Sequence, residues 1–66
     1  MTEFTFYLTE EDTDRLYTIK QLQGERELSG NDYAKKLLER ELYRMFPAVP
    51  RYSDSGELLN PEGYRP

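Results

Sequence analysis

The sequence contains no cysteine and no histidine among its 66 residues. Without cysteine there are no disulfides to staple a small fold. Without histidine the chain lacks the commonest metal ligand and the usual general base near neutral pH. A carboxylate-only calcium site needs acids at fixed loop spacings, and no such pattern is present. The serines at 29, 53 and 55 have no activating base, so nucleophilic catalysis has no machinery. The expectation is a protein without catalytic residues, cofactor, metal or small-molecule substrate. Long apolar runs are also missing, which argues against a membrane span or a secretory leader and for a cytoplasmic location. A surplus of positive charge is lacking too. Nine Lys and Arg face thirteen Asp and Glu, a net charge of −4. The acidity is not confined to one end, because residues 1–46 carry seven basic against ten acidic side chains. A non-specific nucleic-acid binder draws its affinity from phosphate contacts and is basic, so the charge argues against that class and leaves room for a specific binder with a local basic patch.

What remains is short and patterned. In Thr2-Glu3-Phe4-Thr5-Phe6-Tyr7-Leu8-Thr9, Phe4, Phe6 and Leu8 alternate with Glu3, Thr5 and Tyr7. Period two sorts them onto opposite faces of an extended chain, and these residue types suit a pleated surface. No second strand of similar quality follows. A lone strand leaves its backbone donors and acceptors unpaired, and a domain this small buries too little apolar surface to be comfortable alone. The same strand of a second copy answers both needs.

Thr9-Glu10-Glu11-Asp12 opens a first helix over 10–23, with Thr9 as N-cap and acids in the positive first turn. Leu16, Ile19 and Leu22 form a narrow apolar stripe with Tyr17 beside it. Gly24 suits a left-handed stop. The acids at 10, 11, 12 and 14 serve this helix start rather than a metal or an acid–base pair. Residues 25–30 form a loop with Leu28 tucking inward. Ser29, Gly30 or Asn31 prepares the second helix; Asn31 is the expected N-cap, and an earlier start pairs Ser29 with Asp32 in the manner of a capping box. This helix runs from Asp32 to about Met45. Ala34, Leu37, Leu38, Leu42 and Met45 share a stripe that Glu41 interrupts, with Tyr33 beside its N-terminal end. Lys36 and Arg40 can pair with acids on the outer face. Lys35 and Lys36 are either phosphate-steering or simply solubilising charge.

Pro47 and Pro50 stop the helix. Residues 47–66 form a Pro-containing irregular tail with turn signals at Asp54-Ser55-Gly56, about which a short hairpin is expected, and at Asn60-Pro61-Glu62-Gly63. The tail is less polar than a solvated one. The domain boundary is accordingly placed at 46/47.

Strand, helix, short loop and helix within about 45 residues resemble the ribbon-helix-helix family of small dimeric DNA-binding proteins. The matching residues are Phe4 to Thr9, Leu16 and Ile19, and Asn31-Asp32-Tyr33-Ala34-Lys35-Lys36-Leu37-Leu38. The resemblance implies a mainly α protein with one short strand, an intertwined homodimer whose strands pair into a two-stranded antiparallel ribbon. In that family alternate ribbon side chains enter the major groove. Glu3, Thr5 and Tyr7 would then face bases. Backbone amides at Gly30 and Asn31, helped by Lys35, would meet phosphate. Phe4, Phe6, Leu8, Leu16, Ile19, Leu37, Leu38 and Leu42 would form the dimer core. The chain departs from its relatives at the ribbon, where Glu, Thr and Tyr stand in place of the frequent Arg, Lys, Asn or Gln. It departs also at Asp12, where many relatives are apolar, and in a longer loop between the helices. The implied function is a sequence-specific transcriptional regulator acting as a homodimer on double-stranded DNA. The alternative is a protein-interaction module: an antitoxin-like or mobile-element accessory protein, or an acidic DNA mimic. Its tail would either wrap its own dimer or hold a protein partner through Tyr52, Leu58, Leu59 and Tyr64.

Overall fold

The computed structural model describes all residues, Met1–Pro66. Two helices dominate: α1 (Glu10–Leu22) and α2 (Gly30–Met45), followed by a single 3₁₀ turn, Pro61–Gly63. The protein is therefore mainly α. Residues 1–9 adopt no regular element. The only β-type pairing in the chain is the bridge between Tyr52 and Leu58, so the segment expected as a strand has no ladder partner within its own chain.

Both helices start by the same local device. At α1, the Thr9 hydroxyl accepts from the Asp12 amide at 3.2 Å, and the Thr9 carbonyl accepts the first helical bond from Thr13 N at 2.9 Å. At α2, the Ser29 hydroxyl accepts from the Asp32 amide at 3.1 Å, and Tyr33 N donates to the Ser29 carbonyl at 2.9 Å. Ser29, not Asn31, is thus the N-cap, and α2 begins at Gly30. Serine and asparagine are near-equal caps; the leucine before Ser29 decides between them. With Ser29 as cap, Leu28 and Tyr33 take the two positions of a hydrophobic staple. Leu28 is half-buried and Tyr33 is fully buried. Leu8-Thr9-x-x-Asp12 and Leu28-Ser29-x-x-Asp32 are the same pattern in sequence.

Helix α1 ends one residue earlier than expected, in a full Schellman motif. Glu25 N donates to Lys20 O at 3.0 Å, and Gly24 N to Gln21 O at 3.1 Å. Gly24 sits at φ +72°, the left-handed conformation glycine adopts at no steric cost. The Lys20 ammonium donates to the Arg26 carbonyl at 3.3 Å and ties the loop to the helix end.

The chain divides into two compact units, 1–34 and 35–66. The division falls inside α2. In the first unit the one buried side chain is Tyr33, whose hydroxyl bonds the Gln23 side-chain oxygen. In the second unit no apolar side chain is buried; the buried residues are Asn60 and Gly63. Its centre is a hairpin. Ser53 N donates to Glu57 O, and Gly56 N to Ser53 O, both at 2.9 Å. Gly56 at φ +88° supplies the left-handed residue that a three-residue hairpin loop needs. The Ser53 hydroxyl accepts from Glu57 N at 3.1 Å. This is the hairpin expected about Asp54-Ser55-Gly56.

Candidate nucleic-acid interface

The expected groove-facing residues lie in the segment without regular structure. Glu3 and Thr5 are exposed, and Tyr7 is 97% exposed. The residues expected to face inward are uncovered as well: Phe4 at 78%, Phe6 at 60% and Leu8 at 43%. The single chain buries neither face; of the three inward residues Leu8 is the most covered. The helical members of the expected dimer core follow suit. Leu16 and Leu37 are half-buried, while Ile19, Leu38 and Leu42 remain exposed.

Gly30 and Asn31 are the first two residues of α2, and their amides have no intrahelical acceptor by the geometry of a helix start. Gly30 lies against the Tyr17 phenol; a Cβ built there would fall 2.9 Å from the phenol oxygen. Asp32 places a carboxylate in this same turn, so an incoming phosphate would share the positive helix end with a resident anion. Lys35 is engaged with Glu39 at 3.7 Å, both side chains well exposed. Pairs of this kind contribute little and exchange readily.

Charge is unevenly distributed. Residues 1–34 hold three basic against eight acidic side chains, −5, whereas residues 35–66 hold six against five, +1. In the first unit Arg15 is already paired with Asp12 at 2.6 Å and lies 3.8 Å from Glu11. In the second, Arg44 takes both carboxylate oxygens of Glu41. Arg44's hydrogen bond holds the Glu41 carboxyl below its ordinary range and in turn raises the Arg44 guanidinium. All the expected DNA contacts except Lys35 therefore sit on the acidic unit. Chemically, the ribbon residues can offer a hydroxyl from Thr5, a phenol from Tyr7 and an acceptor from Glu3. Such groups can meet base edges but bring no positive charge to a phosphate.

The expected tail contacts are brought together only in part. Tyr52 and Leu58 face one another across the hairpin bridge, Leu59 N donates to Arg51 O at 2.8 Å, and Tyr64 is the C-cap of the 3₁₀ turn. All four side chains are exposed. The sequence reading missed three residues that order these units: Tyr33, Asn60 and Gly63. Tyr33 was detectable through the staple spacing once Ser29 is taken as cap. Asn60 and Gly63 carried only a turn signal, because their partners lie well back in the chain. No group of three or more Asp and Glu side chains is placed to hold a metal ion, and no helix is long and apolar enough to cross a membrane. No family model matches the chain, and neither a curated protein nor a solved structure matches it.

Proposed function

We propose that the chain is a cytoplasmic, homodimeric ribbon-helix-helix protein that binds double-stranded DNA sequence-specifically as a transcriptional regulator. One observation carries the reading. Residues 2–9 alternate apolar and polar side chains, pair with no strand in their own chain, leave Phe4 and Phe6 exposed and Leu8 partly so, and run directly into a capped helix. Two copies pairing these segments antiparallel would satisfy both backbones and bring six apolar side chains together above the stripes of α1 and α2. Thr5 and Tyr7 from each copy would form a small readout face across the two-fold axis. Gly30 and Asn31 would meet phosphate, with Lys35 released from Glu39 to assist. Affinity would then rest on few cations, which gives a shallow salt dependence.

The test is selection from a randomised duplex pool at about 50 mM salt, where phosphate contacts are favoured. The reading expects a two-fold symmetric sequence to be enriched. Thr5→Ala should relax preference, at about 1–3 kcal/mol per lost base contact. Lys35→Ala should weaken all sequences alike. The acidic first unit favours a second reading, a protein-interaction module or DNA mimic that keeps the dimer scaffold. If no sequence is enriched, and Glu3→Lys alone confers binding, that second reading replaces the first.

A further inference from the structure

We propose that residues 47–66 form a strap that folds and unfolds as one cooperative unit on the last turn of α2, with Gly63 as its catch. Three contacts hold it shut. The 3₁₀ turn sets Gly63, which is buried, against the Phe46 ring. A Cβ at position 63 would fall 2.7 Å from Phe46 Cζ and 2.9 Å from Cε1. Gly63 is not among the glycines with positive φ, so its backbone suits any residue. The three atoms nearest such a Cβ all belong to the ring. Next, Arg65 N donates to the Met45 carbonyl at 2.6 Å, satisfying one of the acceptors that a helix end leaves open. Inside the strap, Asn60 is 5% exposed and acts as a clamp. Its Nδ2 donates to the Val49 carbonyl at 3.1 Å, and its Oδ1 accepts from Arg51 N at 2.9 Å. The clamp joins the limb that leaves the helix to the limb that returns to it, and the hairpin closes the far end.

The make-up of these contacts is what allows release. Residues 35–66 bury no apolar side chain, so the closed strap rests on an amide clamp, a glycine face and a few backbone bonds. Segments with few buried apolar contacts and solvent-exposed hydrogen bonds open at low cost and as contiguous units. Closed, the strap caps α2 and covers one side of Phe46. Open, it frees the Met45 carbonyl and carries Tyr52, Leu58, Leu59 and Tyr64 on a long flexible segment. The chain thereby has two forms that differ at its C-terminal end. The inference uses only the second unit and does not rest on the DNA-binding reading.

Amide hydrogen exchange on the full chain tests it, comparing the wild type with Gly63→Ala, Asn60→Ala and the double variant Phe46→Val/Gly63→Ala. In Gly63→Ala, the amides of Ser53, Gly56, Leu59, Tyr64 and Arg65 should speed up together by about tenfold or more, as overpacking a filled site implies. Those of Asp12, Asp32 and Tyr33 should not change. Asn60→Ala should release the same set, and Phe46→Val should restore part of the protection lost in Gly63→Ala. The proposal is overturned if Gly63→Ala leaves the strap protected. It is equally overturned if both units speed up alike, or if the wild-type strap already exchanges as an unprotected peptide does.

Discussion

Ser29 and Asn31 compete in sequence for one role, and the choice between them has measurable weight. Ser29→Ala removes the acceptor for Asp32 N and should cost about 1 kcal/mol, the usual value of an N-cap. Thr9→Ala should cost a similar amount through the loss of its bond from Asp12 N. Asn31→Ala, at an ordinary position of the first turn, should be close to neutral. Urea denaturation of the three variants separates them. Glu41 provides a pH signature on α2. Its carboxyl is held below the ordinary value of 4.5 by the hydrogen bond from Arg44. A depressed carboxyl contributes its stability in full above the unfolded value and loses it as pH falls through the folded one. Helicity should therefore decline on acidification below about pH 4.5, and Glu41→Gln should remove that part of the decline. The pair is exposed, so the effect is small; circular dichroism of both proteins in an acid titration shows it.

Each element was legible to the degree that its cause lies close in the chain. Thr9, Gly24 and Asp54-Ser55-Gly56 act within a few residues of themselves, and the helix start, the Schellman stop and the hairpin all stand where those residues put them. The α2 start slipped because two good caps lie two residues apart, and only the longer staple pattern Leu28-Ser29-x-x-Asp32-Tyr33 distinguishes them. Gly63 on Phe46 and Asn60 on Val49 and Arg51 join residues separated by a hairpin, and no local pattern announces such contacts. Of the candidate site, the alternation at 2–9 was visible, but residues 1–9 adopt no regular element in this chain, so the pattern gave no geometry by itself. Tail removal probes the element scale directly. A chain ending at Phe46 loses the acceptance by Met45 O of the Arg65 amide. It should keep α1 and both caps while the last turn of α2 frays. Residue-resolved exchange would locate that fraying; loss of the protected Tyr33 amide instead would mean that residues 47–66 support the first unit too.

For the whole molecule the prominent fact is how little apolar surface one chain covers: one buried apolar side chain, Tyr33, against exposed Phe4, Phe6, Leu8, Ile19, Leu38 and Leu42. Covering a Phe or Leu gains about 1.5–3 kcal/mol, so the proposed pairing with a second copy would add stability. The melting midpoint should rise with protein concentration. Phe6→Ala should cost about 3–5 kcal/mol per copy if Phe6 is fully covered in the dimer. A monomer by light scattering at micromolar concentration with an unchanged melt would refute the pairing. The solitary burial of Tyr33 has an optical consequence. The chain has no tryptophan and six tyrosines, of which the other five are at least half exposed. A tyrosine held rigidly in an asymmetric surrounding gives a near-ultraviolet dichroic band, and a freely rotating one gives almost none. In dilute solution that band should come chiefly from Tyr33, with a lesser share from Tyr17 against Gly30, and should fall sharply in Tyr33→Phe. Any further band that grows with concentration comes from phenols immobilised by a second copy, so one spectrum separates folding of the chain from its assembly.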